Sequence, residues 1–395
     1  MKRVTRFFAC FGLLLMILLN SCERRPILYL HGQHGECDFP LVDLDLEVYW
    51  DYEFDFDLDY DWKQEWHYGW DDEDIRIFGA LGYREPTAFN IRRYHTGFTP
   101  YAPHTRVFSD RIVGSTLHTE FEWGFWDILT WSDIVPDDGG VQSIHIDENT
   151  SLDYVTAFTN QTMNAAHYNA PQYTRSFYQP EELFAAYEQA IEINENLDGF
   201  VFDSLRNVYV KKLEMVLEPV TYIYLTQVII HHNNGRVTGT DGNANLSGMA
   251  RIVGLNDGVT GNDAVTVHYN NRFKRNCEMN DGEKVDIIGG RVLTFGMTNL
   301  NPNRLPTRSP SYVQQRVLEA DHSRHFIDVN MQFYNGKDST YAFEVTDQVR
   351  QKFRGGVLTI ELDMDTVPIP IGRPGSGFDA VVKDWEDGGT HEIPL

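Results

Sequence analysis

Cysteine, basic residues and long apolar runs are all scarce in this chain, and each scarcity excludes a class of protein. Four cysteines among 395 residues rule out a disulfide-stapled miniprotein. Lys and Arg number 33 against 58 Asp and Glu, a formal net charge of −25. A chain this acidic, with no basic patch along it, repels phosphate backbones, which argues against nucleic acid as a partner. Beyond the N-terminus no segment stays apolar for the ~20 residues of a membrane-spanning helix. The best run, Val220–Ile230, contains Thr, Tyr and Gln. Nucleophile elbows, HExxH zinc sites and phosphate loops are also missing; Gly375-Ser376-Gly377 lacks the outer spacing. What remains is 42% hydrophobic and 13% aromatic, ordinary for globular protein. At about 150 residues per domain the length suggests two or three domains.

The N-terminus carries an address. Lys2, Arg3 and Arg6 precede an apolar stretch, Phe7–Leu19, too short to span a bilayer and right for the core of a signal peptide. It ends Leu19-Asn20-Ser21-Cys22, which resembles a lipobox, with Asn20 where Ala, Ser or Thr is commoner. The resemblance implies that residues 1–21 are a signal peptide and that Cys22 is acylated, as in palmitate-bearing lipoproteins, to become the first mature residue. The body is then soluble and reaches the membrane by lipid alone. A plain secretory cleavage nearby is the alternative. Cys10 lies in the leader, so Cys37 and Cys277 are left either to pair in an oxidising envelope or to stay unpaired.

Between Val42 and Trp62 every even position is apolar or aromatic, and every odd position except Tyr49 is acidic. Period two is the strand signal. A strand of 21 residues would far exceed the usual ~5–6, so one is expected over 42–50, its acidic face guarding a sheet edge. Further strands are expected at Ile75–Phe78, Phe121–Trp131 and Val141–Ile146. Pro180-Glu181-Glu182 opens the clearest helical pattern, with Leu183, Phe184, Tyr187, Ala190 and Ile191 on one face, fading near Asn194–Gly199. Beyond about 205 many strands follow: Lys211–Leu217, Thr221–Ile230, Leu246–Leu255, Val265–Tyr269, Arg291–Phe295, Phe326–Phe333, Tyr341–Val345 and Val357–Asp363. Asp241-Gly242, Asn256-Asp257-Gly258 and Asn335-Gly336 mark turns among them. The punctuation reads as antiparallel sandwich.

Metal chemistry finds little support. His31, His34, Glu36 and Cys37 crowd together, but no second cluster closes a zinc site. His231-His232 is weaker, because neighbours on a strand point to opposite faces. Asp55–Asp61 and Asp241–Asn245 both lack the Gly and Glu of a calcium loop. No metal, cofactor or catalytic residue is therefore assigned.

A series of segments stands in a familiar order: Phe125–Trp131, Gln179–Phe184, Leu217–Tyr224, Leu246–Ala250, Gly289-Gly290-Arg291, Phe295-Gly296, Ile369-Pro370-Ile371, Gly377-Phe378-Asp379 and Val381–Trp385. Together with the lipobox, this resembles the fimbrillin-like outer-membrane lipoproteins of anaerobic Gram-negative bacteria, in a branch near the fimbrial anchoring subunits. The resemblance implies an all-β fold of two transthyretin-like antiparallel β-sandwich domains, with one short helix between them or late in the first. The expected division is a lipidated linker over 22–40, an N-terminal sandwich over 41–200 and a C-terminal sandwich over 205–395. It implies no enzyme activity, a surface-exposed place on the outer membrane, other fimbrial subunits as partners, and a role in anchoring, assembly or adhesion. The alternative is a carbohydrate-binding lipoprotein of a polysaccharide-uptake system, whose sugar platform would be Trp62, Trp66, Tyr68 and Trp70. Exposed coplanar rings would favour that alternative, and buried rings would favour the fimbrial reading.

Overall fold

The computed structural model describes residues 42–50 (backbone), 62–136, 142–148, 155–161, 176–194, 196–301 and 323–371. Strand β1 (Val42–Trp50) is formed by the first part of the alternating run. It does not form a sheet edge. It runs parallel to β11 (Val208–Pro219), from Val42↔Tyr209 to Trp50↔Leu217. On its other side it pairs antiparallel with β4 (Thr116–Glu120), which is the edge strand. The acidic odd positions therefore do not guard an edge; the backbone groups of β1 are occupied on both flanks.

The same sheet continues from β11 into β9 (Phe184–Ile193), β5 (Gly124–Ser132), β2 (Ala88–Gly97) and β3 (Arg106–Val113), with β10 (Val201–Asp203) beside β11. Strands β9 and β11 pair only at Ala185↔Glu218 and Phe184↔Pro219. The sheet turns at that joint, and its halves meet across Phe89, Ile91, Trp126, Phe184, Met215 and Leu217. Burying each such side chain contributes about 1.5–3 kcal/mol. Strand β11 lies past residue 205 yet belongs to this first sheet. A small sheet of β6 (Ile144–Asp147), β7 (Thr156–Thr159) and β15 (Ile252–Gly254) covers the opposite face through Tyr94, Leu129, Trp131, Ile144 and Val253.

Two more sheets form the second sandwich. One holds β17 (Arg272–Glu278), β18 (Lys284–Thr294), β12 (Tyr222–His231) and β21 (Gly356–Asp363). The other holds β13 (Val237–Gly239), β19 (Phe326–Phe333), β14 (Asn243–Ala250), β16 (Ala264–Asn270) and β8 (Ser176–Tyr178), with β20 (Asp338–Glu344) on β19. Tyr224, Val228, Ile288, Val292 and Leu358 from the first meet Leu246, Val267, Val329, Met331 and Phe333 from the second. The expected turns are present: Asp241, Asp257 and Asn335 each accept the backbone N–H two residues on, ahead of the strands that follow. The architecture is all-β and sandwich-like, mostly antiparallel, as expected.

The helix expected from Pro180 is a strand, β9. Phe184 and Ala186 pack into one core with Ile191 and Ile193, while Leu183, Ala185 and Tyr187 pack into the other. The inward parity thus flips from even to odd along the strand. The flip is a bulge: register shifts opposite Trp126–Ile128, Ala190 takes φ +57°, and its N–H bonds Asp127 Oδ1 at 2.8 Å. Two buried faces plus one extra residue imitate a 3.6-residue period. Glu181 and Glu182 are not at a helix start either. Glu181 accepts Ser143 N–H (2.5 Å) and Ile144 N–H (2.9 Å), both buried.

The described helices lie elsewhere: α1 (Trp62–Glu65), α2 (Asp72–Phe78) and α3 (Thr346–Gln351). Helix α2 replaces the strand expected at Ile75–Phe78. Asp71 caps it by accepting the N–H groups of Glu73 and Asp74 at 3.0 Å, and Asp74 accepts the N–H of Asp71 at 2.8 Å. This is a capping box built from two aspartates.

Candidate functional site

Cys22 and Cys37 fall outside the described residues, as do His31, His34 and the acidic run Asp55–Asp61. Cys277 sits half-buried on β17 without a disulfide partner among the described residues, and burial pushes its thiol up. The site residues that the structure does bring together belong to the segment joining β1 to β2.

Residues 62–84 leave the first sheet and cross onto the outer face of β12, β18 and β21 as a strap. The reason is apolar. Trp62 packs on Ile223, Leu225, Leu293 and Val357, while Tyr68 packs on Ile229, Val285 and Ile287. Gly289 makes room for Tyr68: a Cβ there would lie 2.4 Å from the ring. The buried Gln227 side chain ties the strap backbone at two points, accepting His67 N–H (3.0 Å) and donating to Glu65 O (2.6 Å).

One fully buried carboxylate fastens the middle of the strap. Asp74 accepts the Tyr68 hydroxyl at 2.8 Å and the Arg272 guanidinium at 2.8 Å, and Lys274 closes on its other oxygen. The Lys274 ammonium also lies 4.0 Å from the centre of the Tyr68 ring, a cation–π contact. Burial and then the bond to Asp74 raise the Tyr68 phenol, so it stays a neutral donor. Burial works against ionisation of Asp71, but the Asp74 N–H, Lys274 and Arg272 outweigh it and hold this carboxyl well below its ordinary 3.8.

A depressed carboxyl binds fewer protons folded than unfolded. Its contribution is therefore complete above the ordinary value and is lost as pH falls through the folded value. The strap should loosen progressively as pH falls below about 4. Tryptophan fluorescence from Trp62, Trp66 and Trp70 across that range tests this. Asp71→Asn should remove most of the pH dependence, and an unchanged acid transition would contradict it.

The aromatics expected as a sugar platform are strap residues. Trp62 and Tyr68 are buried, Trp66 and Trp70 half-buried. The planes of Trp66, Tyr68 and Trp70 meet at 48–68°, and the indole N–H groups of Trp66 and Trp70 donate to Gly69 O and Gly79 O. Tilted rings spent on a core do not offer the flat face that stacks on a sugar.

A second joint ties the strap to both sandwiches. Arg291 on β18, 3% exposed, meets Glu182 at 2.8 Å and donates to Leu81 O at 3.1 Å. The other Glu182 oxygen accepts Arg84 N–H at 2.7 Å. Sequence reading missed this pair because its partners lie 109 residues apart. His231 ends β12 and His232 lies just beyond it with φ +49°, and the two turn to different partners. His231 Nδ1 meets Glu283 at 3.2 Å, and His232 Nδ1 meets Asp363 at 3.0 Å.

No protein-family model and no curated protein matches the chain. Similar solved structures include a candidate adhesin from Bacteroides ovatus, 13% identical, TM-score 0.44, covering 84% of this chain and 95% of that one. The fimbrial anchor protein Mfa2 from Porphyromonas gingivalis is 13% identical with TM-score 0.39, over 81% and 90% of the two chains. A candidate polysaccharide-binding protein from Bacteroides thetaiotaomicron is 11% identical with TM-score 0.37, again over 81% and 90%.

Proposed function

We propose that this chain is a non-enzymatic cell-surface lipoprotein, held on the outer membrane through Cys22, that serves as an anchoring or accessory subunit in fimbrial assembly or adhesion. The observation that carries the proposal is the position of β1. It follows directly on the linker from Cys22 and is paired on both sides, with β11 and β4. A lipid on Cys22 is thereby joined to the body through an internal strand. In the fimbrillin stalk scheme an Arg-specific cut removes the first strand and opens a groove for a neighbour's strand. Here the arginines available before β1 are Arg24 and Arg25, and the next is Arg76. Cutting at the first two removes lipid and no strand. Cutting at Arg76 breaks α2 and detaches β1 together with Trp62 and Tyr68, which cover the second sandwich. Neither suits a stalk subunit.

The polysaccharide-binding alternative is disfavoured by the packing of residues 62–70. Partners on this reading are the outer membrane and other fimbrial subunits. Cys22→Ala should shift the protein from the membrane fraction to the soluble envelope fraction and remove a diacylglyceryl or triacyl mass. Unchanged partitioning with no acyl mass would overturn the lipid assignment.

A further inference from the structure

We propose that His232, Asp363 and Asp365 form a zinc site at the corner where β12 and β21 end. The three residues come from two places. His232 follows the last residue of β12, and Asp363 and Asp365 flank the turn that ends β21. These two strands are parallel neighbours paired up to His231↔Asp363, so their ends arrive together. One ligand atom from each of the three side chains fits within a span of 4.8 Å.

The three side chains form a hydrogen-bonded ion pair, and their spacing is also one that a shared ion can bridge. Tetrahedral zinc with bonds of about 2.0–2.1 Å sets its ligand atoms roughly 3.3–3.4 Å apart. His232 Nδ1 stands 3.0 Å from Asp363 Oδ1 and 4.0 Å from Asp365 Oδ2. The second distance is too long for a hydrogen bond, yet two ligands sharing an ion need only small rotations to bracket one. Asp365 is already held: its Oδ1 takes the Arg236 guanidinium at 2.8 Å, which leaves Oδ2 directed at the imidazole. Asp363 is held as well, its Oδ1 accepting the N–H of Asp365 at 2.9 Å. One imidazole and two carboxylates favour zinc over calcium, which prefers oxygen alone and more of it. Water would complete the four-coordinate set. Bound there, the ion would clasp the parallel pair β12–β21 at its open end. The neighbouring His231 takes no part, since it turns to Glu283 and Glu361 on the other side.

The test is equilibrium dialysis of the full chain, carrying no polyhistidine tag, against zinc alone and calcium alone at pH 7.5. One saturable equivalent of zinc is expected. His232→Ala and Asp365→Asn should each weaken it by about tenfold or more. Replacing His31, His34 and Cys37 together should leave that equivalent in place, which separates this site from the N-terminal cluster. Relative to its own chelator-treated thermal midpoint, Asp365→Asn should lose the rise that zinc gives the parent. The proposal is overturned by no saturable zinc at about 50 µM, by an equivalent that survives both single substitutions, or by calcium binding instead.

Discussion

Arg291→Ala is expected to lower the unfolding free energy by about 2–4 kcal/mol, somewhat less than the ~3–5 of a fully orphaned buried charge, because Arg84 Nε stays 3.5 Å from Glu182. Glu182 is nearly as buried as Arg291, with side chains 8% and 2% exposed, so water cannot replace the lost guanidinium. The substitution also removes the donor to Leu81 O, where the strap returns toward β2. Arg291→Lys should recover less than half of the loss, because an ammonium cannot serve Glu182 and a carbonyl from one planar fork. Replacing both partners together, Glu182→Leu with Arg291→Met, should cost much less than either single truncation. Urea denaturation of these variants, together with the single substitutions Glu182→Leu and Arg291→Met, decides it. Additive single effects, or a cost for Arg291→Ala below about 1 kcal/mol, would show that the joint carries little.

Gly289→Val should release the strap while the second sandwich stays folded. Its Cβ would fall 2.4 Å from Tyr68 Cδ2 and 2.8 Å from Cε2, an approach that atoms do not make. The ring must leave, and with it go the hydroxyl bond to Asp74 and the cation–π contact with Lys274. Overpacking of this kind costs about 1–3 kcal/mol, concentrated here in one segment rather than spread through a core. Arg76 reports the release: its side chain is 72% exposed but its backbone lies within capped α2. Limited trypsin digestion should cut after Arg76 many times faster in Gly289→Val than in the parent. Protection of β12 and β18 amides from hydrogen exchange should persist. Equal cutting rates would mean that Tyr68 does not hold the strap.

How much of this was legible in the sequence depended on how local the signal was. The first strand was legible because apolar even positions alternate with acidic odd ones from Val42 to Val48. The turns at Asp241, Asp257 and Asn335 were legible because each is written in two or three adjacent residues. Strand β9 was misread because Ala190 inserts one residue and flips the inward parity, which one-dimensional periodicity cannot separate from a helix. Helix α2 was misread because its capping box uses Asp71 and Asp74 where a Ser or Thr with Glu is the familiar form. The aromatic cluster from Trp62 to Trp70 was visible as composition, but its use was not. Only Gly289, more than 200 positions away, shows that Tyr68 is a packing residue. The Glu182–Arg291 and Asp74–Lys274 pairs are tertiary facts with no local trace.

The proposed role turns most directly on what the mature protein retains. Intact-mass and N-terminal analysis of the protein recovered from assembled surface fibres should find an acylated Cys22 at the start and the whole of β1 present, in a protein confined to the base or to isolated positions. A mature start well beyond residue 50, in a subunit repeating along the fibre, would contradict the anchoring or accessory role and assign the chain to the stalk.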